Sequence, residues 1–387
     1  MIEFRLPPAT TFLHRALKTS ILLTLSYIPV RAEVGEDRIV SEEFNDEQLE
    51  KAIFDFANDL NRGRYGLRPL LRPDATRIRK SLLSAWGMER SRVNVVTVII
   101  DGYLIYIHEL ARKERLVKEI KIAFSSISEK GYLNDASIIS VPMLNKLAPE
   151  FMEGIRILGG VYMGGSVPSS IRFSRMRLGV HTTCLGLMGL WASLFFADQK
   201  TEYYLFPSPE TIKGRIAIES LRNNLENVIR TLKGRPFTSF WTALLLTVLL
   251  TASTPDPSRK LEIATLTKGK QRDDILQQSI LLFTKPLAIF ADKLDRYTRR
   301  KLINLSRRGL SLAEELRLSE ASTEISRAIV LAIEGVIEPE EVSYHIARFT
   351  YLQSDLNFER AIGLMDQDVR NIVEAIIIAR KGIENRN

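Results

Sequence analysis

The sequence predicts an α+β fold: a mixed N-terminal region, residues 1–254, with a small antiparallel sheet, and a helical bundle over residues 255–387. Three observations lead there. Two β-branched and aromatic runs flank an Asp-Gly pair at 93–107, apolar residues recur every three or four positions after residue 205, and STPDPSRK at 253–260 reads as a linker.

Taken in order, DEQLEKAIFDFANDLN at 46–61 sets Leu49, Ile53, Phe56 and Leu60 on one helical face, with Asp46 placed to cap. The next stretch, NRGRYGLRPLLRPDATRIRK at 61–80, holds Arg62, Arg64, Arg68, Arg72, Arg77, Arg79 and Lys80 against one acid, Asp74. Glycines and prolines make its first half a loop, and its second half enters a helix toward Trp86. VNVVTVII, Asp101-Gly102 and YLIYIHE then read as a hairpin over 93–107, because a two-residue turn needs positive φ values that Asp and Gly tolerate. Residues 109–123 return to helical periodicity. The apolar runs Cys184–Ala197 and Phe237–Thr254 read as buried helices: the first is too short to cross a bilayer, and hydroxyl side chains dilute the second. Beyond the linker, LQQSILLFTKPLAIFADKL, TEISRAIVLAIEGV and NFERAIGLMDQDVRNIVEAIIIARKG describe a bundle.

At 45% hydrophobic and 26% charged residues, the chain has a globular balance and room for two or three domains. Its net charge of +8 favours a polyanionic partner. That charge is divided unevenly. From Leu310 on there are 14 acids and 8 bases, whereas residues 1–309 hold 32 acids and 46 bases. The acidic helices repel nucleic acid and suggest a protein neighbour, although a solvated helix surface reads the same way. The single cysteine, Cys184, cannot form an intramolecular disulfide, which places the chain in a reducing cytoplasm. Glu3 and two prolines precede any apolar block, so no signal peptide is expected.

Sites for chemistry are scarce in the sequence. His14, His108, His181 and His345 lie far apart and lack the spacing that puts two ligands on one metal, so no metal and no cofactor are expected. GGSVP at 164–168 is not a nucleophile elbow, and GGVYMGG lacks both dinucleotide and P-loop spacing. Asp273 with Asp274, and Glu338 with Glu340 and Glu341, are clusters that helix starts attract. No catalytic residue is expected. A metal-dependent nuclease or nucleotidyl-transfer site, assembled only in three dimensions, stays open as the alternative.

Binding residues are plentiful by comparison. Guanidinium forks pair with phosphate, glycines let backbone N–H groups approach it, and aromatics stack on bases. Besides residues 62–80, GGVYMGGSVPSSIRFSRMR at 159–177 offers Gly164, Gly165, Ser166, Arg172, Arg175 and Arg177, and a third loop offers Lys268, Lys270 and Arg272. A fourth basic run, Arg296, Arg299, Arg300, Lys301, Arg307 and Arg308, lies on a helix. Tyr65, Tyr162 and Phe173 are interleaved as stacking surfaces, and His181, just after the arginines, is the one histidine with a route to phosphate.

A mixed N-terminal region with a basic loop, the SVPSSIRFSR segment, YYLFPSPE at 203–210, LTKGKQRDD at 266–274 and a helical C-terminus together resemble the large subunit of the archaeal type I-A CRISPR surveillance complex, Cascade. The resemblance implies a non-catalytic antiviral-defence subunit that binds guide RNA, senses the short motif flanking double-stranded target DNA, and helps recruit a separate helicase–nuclease. It further implies that residues 62–80 and 159–177 meet nucleic acid while the helical C-terminal region meets other subunits; no membrane partner is expected, because both apolar runs read as buried helices.

Overall fold

A computed structural model of the protein describes residues 1–7, 12–69, 95–125, 180–197, 201–207, 212–232, 240–251, 261–268, 274–275, 281–282, 285–309, 316–350 and 362–384. The chain forms two compact units. One comprises Met1–Arg230 with Glu262–Ile280, the other Thr231–Leu261 with Leu281–Asn387. Where the sequence suggested one division at 254, the chain changes unit three times, and residues 231–261 go with the C-terminal helices.

The first unit contains, in chain order, β1 (Ile2–Arg5), α1 (Phe12–Leu25), β2 (Ala32–Val34), β3 (Arg38–Ser41), α2 (Asp46–Asn61), α3 (Val95–Arg112), α4 (Leu116–Ser125), α5 (Val180–Ser193), β4 (Leu194–Ala197), β5 (Thr201–Pro207), β6 (Ile212–Lys213), α6 (Arg215–Leu232), β7 (Leu261–Lys268) and β8 (Asp274–Ile275). The α+β class expected from the sequence holds. One antiparallel sheet runs β1-β3-β2-β6, with Ile2 opposite Ser41 and Glu33 opposite Lys213. Alternation dictates β1: Ile2 and Phe4 are buried, while Arg5 turns outward and bonds Glu3 on the same face at 3.2 Å. A second sheet follows the order β4-β5-β7-β8.

Two helices form the centre of this unit. Every residue of α1 is buried, and so is every residue of α5 after Val180, as expected of helices enclosed on all sides. They pack at closest range where Gly189 meets Ala16, since a Cβ on Gly189 would stand 1.9 Å from the Ala16 carbonyl oxygen. Burying α1 whole also buries its charges. Arg15 donates from Nε to Glu262 on β7 at 2.5 Å, and Lys18 donates from Nζ to the Gly35 carbonyl at 3.1 Å. Burial pulls Lys18 down to about 8 against the pull of Glu36 and Glu262, and burial raises Glu262 against Arg15.

The hairpin expected at 93–107 is not formed. Asp101 and Gly102 lie mid-way along α3, whose buried Val96, Ile99, Ile100, Tyr103, Ile107 and Leu110 recur at helical spacing. That stripe packs on α2 and α5, and tertiary burial outweighs both the β-branched propensity and the roughly 1 kcal/mol that a mid-helix glycine costs. The run Cys184–Ala197 is likewise not one helix. It leaves the helix at Ser193, and Leu194 pairs with Tyr204 in β4–β5, where Phe195 and Phe196 both contact Tyr203.

Helix α2 matches its expected bounds, but its cap is Asn45, which accepts from the Gln48 N–H while Gln48 bonds back. Asp46 caps a different helix: its two oxygens accept from the N–H groups of Leu116 and Val117 at 2.7 and 3.1 Å, at the start of α4.

The second unit is helical: α7 (Phe240–Thr251), α8 (Lys285–Lys293), α9 (Arg296–Gly309), α10 (Leu316–Ile333), α11 (Pro339–Thr350) and α12 (Asp366–Glu384). The apolar α7 is buried from Thr242 to Leu249 and packs against α9 and α10, as its composition predicts. Among the described residues, no helix is long and apolar enough to cross a membrane. Helix α9 is capped by Asp295, which accepts from the N–H groups of Tyr297 and Thr298, and is tied to α12 by Lys301–Asp368 at 2.7 Å.

Candidate nucleic-acid interface

The basic loop begins where α2 ends. Its Asn61-Arg62-Gly63-Arg64 sequence closes the helix with paired bonds, from the Gly63 N–H to the Leu60 carbonyl and from the Arg64 N–H to the Asp59 carbonyl, with Gly63 at φ +70°. Arg62, at the C-cap, is exposed. Arg64 turns its guanidinium back to Asp59 at 3.1 Å while staying half-exposed itself.

Asp59 is the fixed point of this loop. Tyr27 donates its proton to Asp59 at 2.7 Å and accepts from Tyr65 at 3.1 Å. Tyr65 is 1% exposed and stands edge-on to Phe56. Burial raises both phenols, Tyr65 to about 12 and Tyr27 higher, so both hold their protons as donors. The expectation that Tyr65 offers a stacking surface is therefore corrected: its ring anchors the loop from inside.

Two residues on, the loop is stitched to the junction of α5 and β4. The N–H groups of Gly66 and Leu67 bond the carbonyls of Ala192 and Leu194, and a Cβ on Gly66 would lie 2.4 Å from the carbonyl oxygens of Trp191 and Leu194. Beyond it, exposed Arg68 lies over the Trp191 ring at 4.7 Å. The Arg68 charge also reaches Asp101 on α3, where burial raises the carboxyl and Arg68 opposes the rise. Three guanidiniums thus sit on eight residues of backbone held at both ends, so the ordering of that backbone is met by contacts within the chain.

Several expected contacts fall elsewhere. Arg72, Arg77, Arg79 and Lys80 lie outside the described residues, as do Gly164, Gly165, Ser166, Arg172, Arg175 and Arg177 with Tyr162 and Phe173, and Lys270 and Arg272. Lys268 ends β7, opposite Asp274 in the ladder. The route to phosphate left open for His181 is closed: it is 5% exposed, lies 2.9 Å from the Tyr103 hydroxyl beside Tyr103 and Tyr106, and is lowered to about 4 by burial, so it brings no charge to a phosphate. Sequence reasoning missed Trp191 and the Tyr27–Asp59 pair. Only Gly63 and Gly66, bracketing Arg64, signalled a built loop.

Among the described residues, no group of three His, Cys, Asp or Glu side chains gathers to hold a metal. Of the acids noted in the sequence, Glu341 accepts from the Glu338 N–H at the start of α11, and Glu338 pairs with Arg380 at 3.1 Å. No known family profile matches the chain, and no curated protein matches it.

Proposed function

We propose that the chain binds nucleic acid without transforming it, as a subunit of a larger assembly. One observation carries the reading: Arg62, Arg64 and Arg68 are exposed on a loop that Asp59, Tyr65 and the Gly66 backbone hold in place. Guanidiniums held in this way pair with backbone phosphates at little ordering cost. The resemblance to a type I-A CRISPR large subunit gives the proposal its finer form. The ligands are then guide RNA and target-flanking double-stranded DNA, and the partners are neighbouring subunits and a helicase–nuclease.

The test is fluorescence anisotropy of labelled duplex DNA and RNA against salt, with the parent chain and an Arg62→Ala/Arg64→Ala/Arg68→Ala variant. Each lost phosphate contact removes about 0.9 from the slope of log affinity against log salt on duplex DNA. The expected result is a loss of at least about tenfold in affinity with a shallower slope. Equal affinity and equal slope overturn the assignment of this loop. The melting temperature stays close to the parent's, because the Arg64–Asp59 pair is half-exposed and such pairs contribute about 0–1 kcal/mol.

A further inference from the structure

Helix α9 carries a second cationic surface, in the other unit. Its sequence RYTRRKLINLSRRG has six cations and no acid. An α-helix gains a few tenths of a kcal/mol from each acid–base pair at i,i+4 and loses as much from each like-charge pair, so this composition works against the helix. The placement works against it too. Arg296 sits in the first turn, where the helix dipole disfavours a cation, and the one acid at that end, the N-cap Asp295, is committed to the N–H groups of Tyr297 and Thr298 and to Asn371.

The cations are sorted by face. Lys301 is committed to Asp368, and Arg299 donates to the Leu294 carbonyl. Arg296, Arg300 and Arg307 follow one another at helical spacing, and among the described residues no acid pairs with any of them. Arg296 and Arg300 are exposed, and Asn304 lies exposed on the same side. Arg307 is half-buried, and its Nε, shielded from solvent, has no hydrogen-bond partner. At 1.5 Å of rise per residue, Arg296 and Arg300 stand about 6 Å apart along the axis and the strip runs about 17 Å. Beside it Tyr297 is 66% exposed, and the Lys301 ammonium sits over its ring at 4.6 Å. Lys301, itself fixed by Asp368, holds that ring on one face and leaves the other outward.

We propose that this strip is a single-strand contact, in which backbone phosphates lie on Arg296, Arg300 and Arg307 and one base stacks on Tyr297. Cations with an interleaved, immobilised aromatic ring are the chemistry of single-strand grooves. A membrane surface would need several apolar side chains among the cations, and Tyr297 alone stands there. The proposal rests on the nucleic-acid reading of the chain, but on none of the residues of the Arg62–Arg68 loop.

The test uses the full chain and fluorescein-labelled 20-nucleotide single-stranded RNA and DNA of mixed sequence, each titrated at several salt concentrations. An Arg296→Glu/Arg300→Glu variant suits the helix dipole, so it melts no lower than the parent, while its affinity falls at least about tenfold. Arg296→Gln/Arg300→Gln reads the same contacts if charge reversal disturbs the helix, and lowers the salt slope by about 0.7 per contact. Tyr297→Ala weakens single strands at least about fivefold and leaves blunt duplex unchanged. Unchanged single-strand affinity in these variants overturns the strip even if the Arg62/Arg64/Arg68 variant has lost binding, in which case the loop reading stands alone. Equal losses on polyglutamate or on anionic vesicles also overturn it, and identify an acidic protein or a lipid surface instead.

Discussion

Gly189 illustrates how one absent methyl group sets the distance between two buried helices. An alanine in a helix interior is normally better than glycine by up to about 1 kcal/mol, but here its Cβ would be driven to 1.9 Å from the Ala16 backbone oxygen, which no side-chain rotation relieves. The clash outweighs the propensity. Gly189→Ala is expected to destabilise the chain by about 3 kcal/mol, read as a lower urea midpoint at unchanged m-value. Nothing in LGLMGLW separates Gly189 from Gly186 as the contact point, because the distinction depends on where α1 crosses. Tyr65 was misread for the same reason, and the phosphate contact left open for His181 closes in the same way. Adjacency to arginines in sequence says nothing about which way a side chain points, and both point inward.

Among the elements, the bounds of α2 were legible to the residue from its apolar face, while its cap was read one residue late, at Asp46 where Asn45 holds it. Helix α3 was not, because Asp101-Gly102 between β-branched runs mimics a turn, and the decisive 3.6-residue stripe acquires its meaning only against α2 and α5. Adjacent residues at the head of α2 serve two helices, and the division can be tested directly. Asn45→Ala is expected to cost about 1 kcal/mol and to speed amide exchange at Gln48. Asp46→Ala is expected to cost about as much while speeding exchange at Leu116 and Val117, with Gln48 unaffected. Equal exchange at Leu116 in both variants would show that Asp46 is not the α4 cap.

For the molecule as a whole, periodicity announced the helical C-terminal region, and the α+β class holds, but its sheets are built from other strands than the hairpin that predicted one, and the path of the chain between units was invisible. Residues 262–280 return to the first unit, and no linker composition announces that. Stability is expected to depend on acidity through two buried histidines, His14 and His181, both lowered from 6.5 to about 4 mainly by burial. As pH falls through 6.5 the unfolded chain takes up protons that the folded chain refuses, so stability present at neutral pH is lost between about 6.5 and 4. The loss is roughly 3 kcal/mol for each histidine. Urea midpoints measured from pH 7.5 to 4 check this, and His181→Gln is expected to remove about half of the dependence. The Arg15–Glu262 pair imposes a further order, this time on biosynthesis. The carboxylate that answers Arg15 lies 247 residues downstream, so a ribosome has made most of the first unit before that counter-charge emerges. A nascent chain released at residue 230 lacks both Glu262 and the strand that carries it. This one ion pair can therefore close only after much of the polypeptide between its two members has been translated.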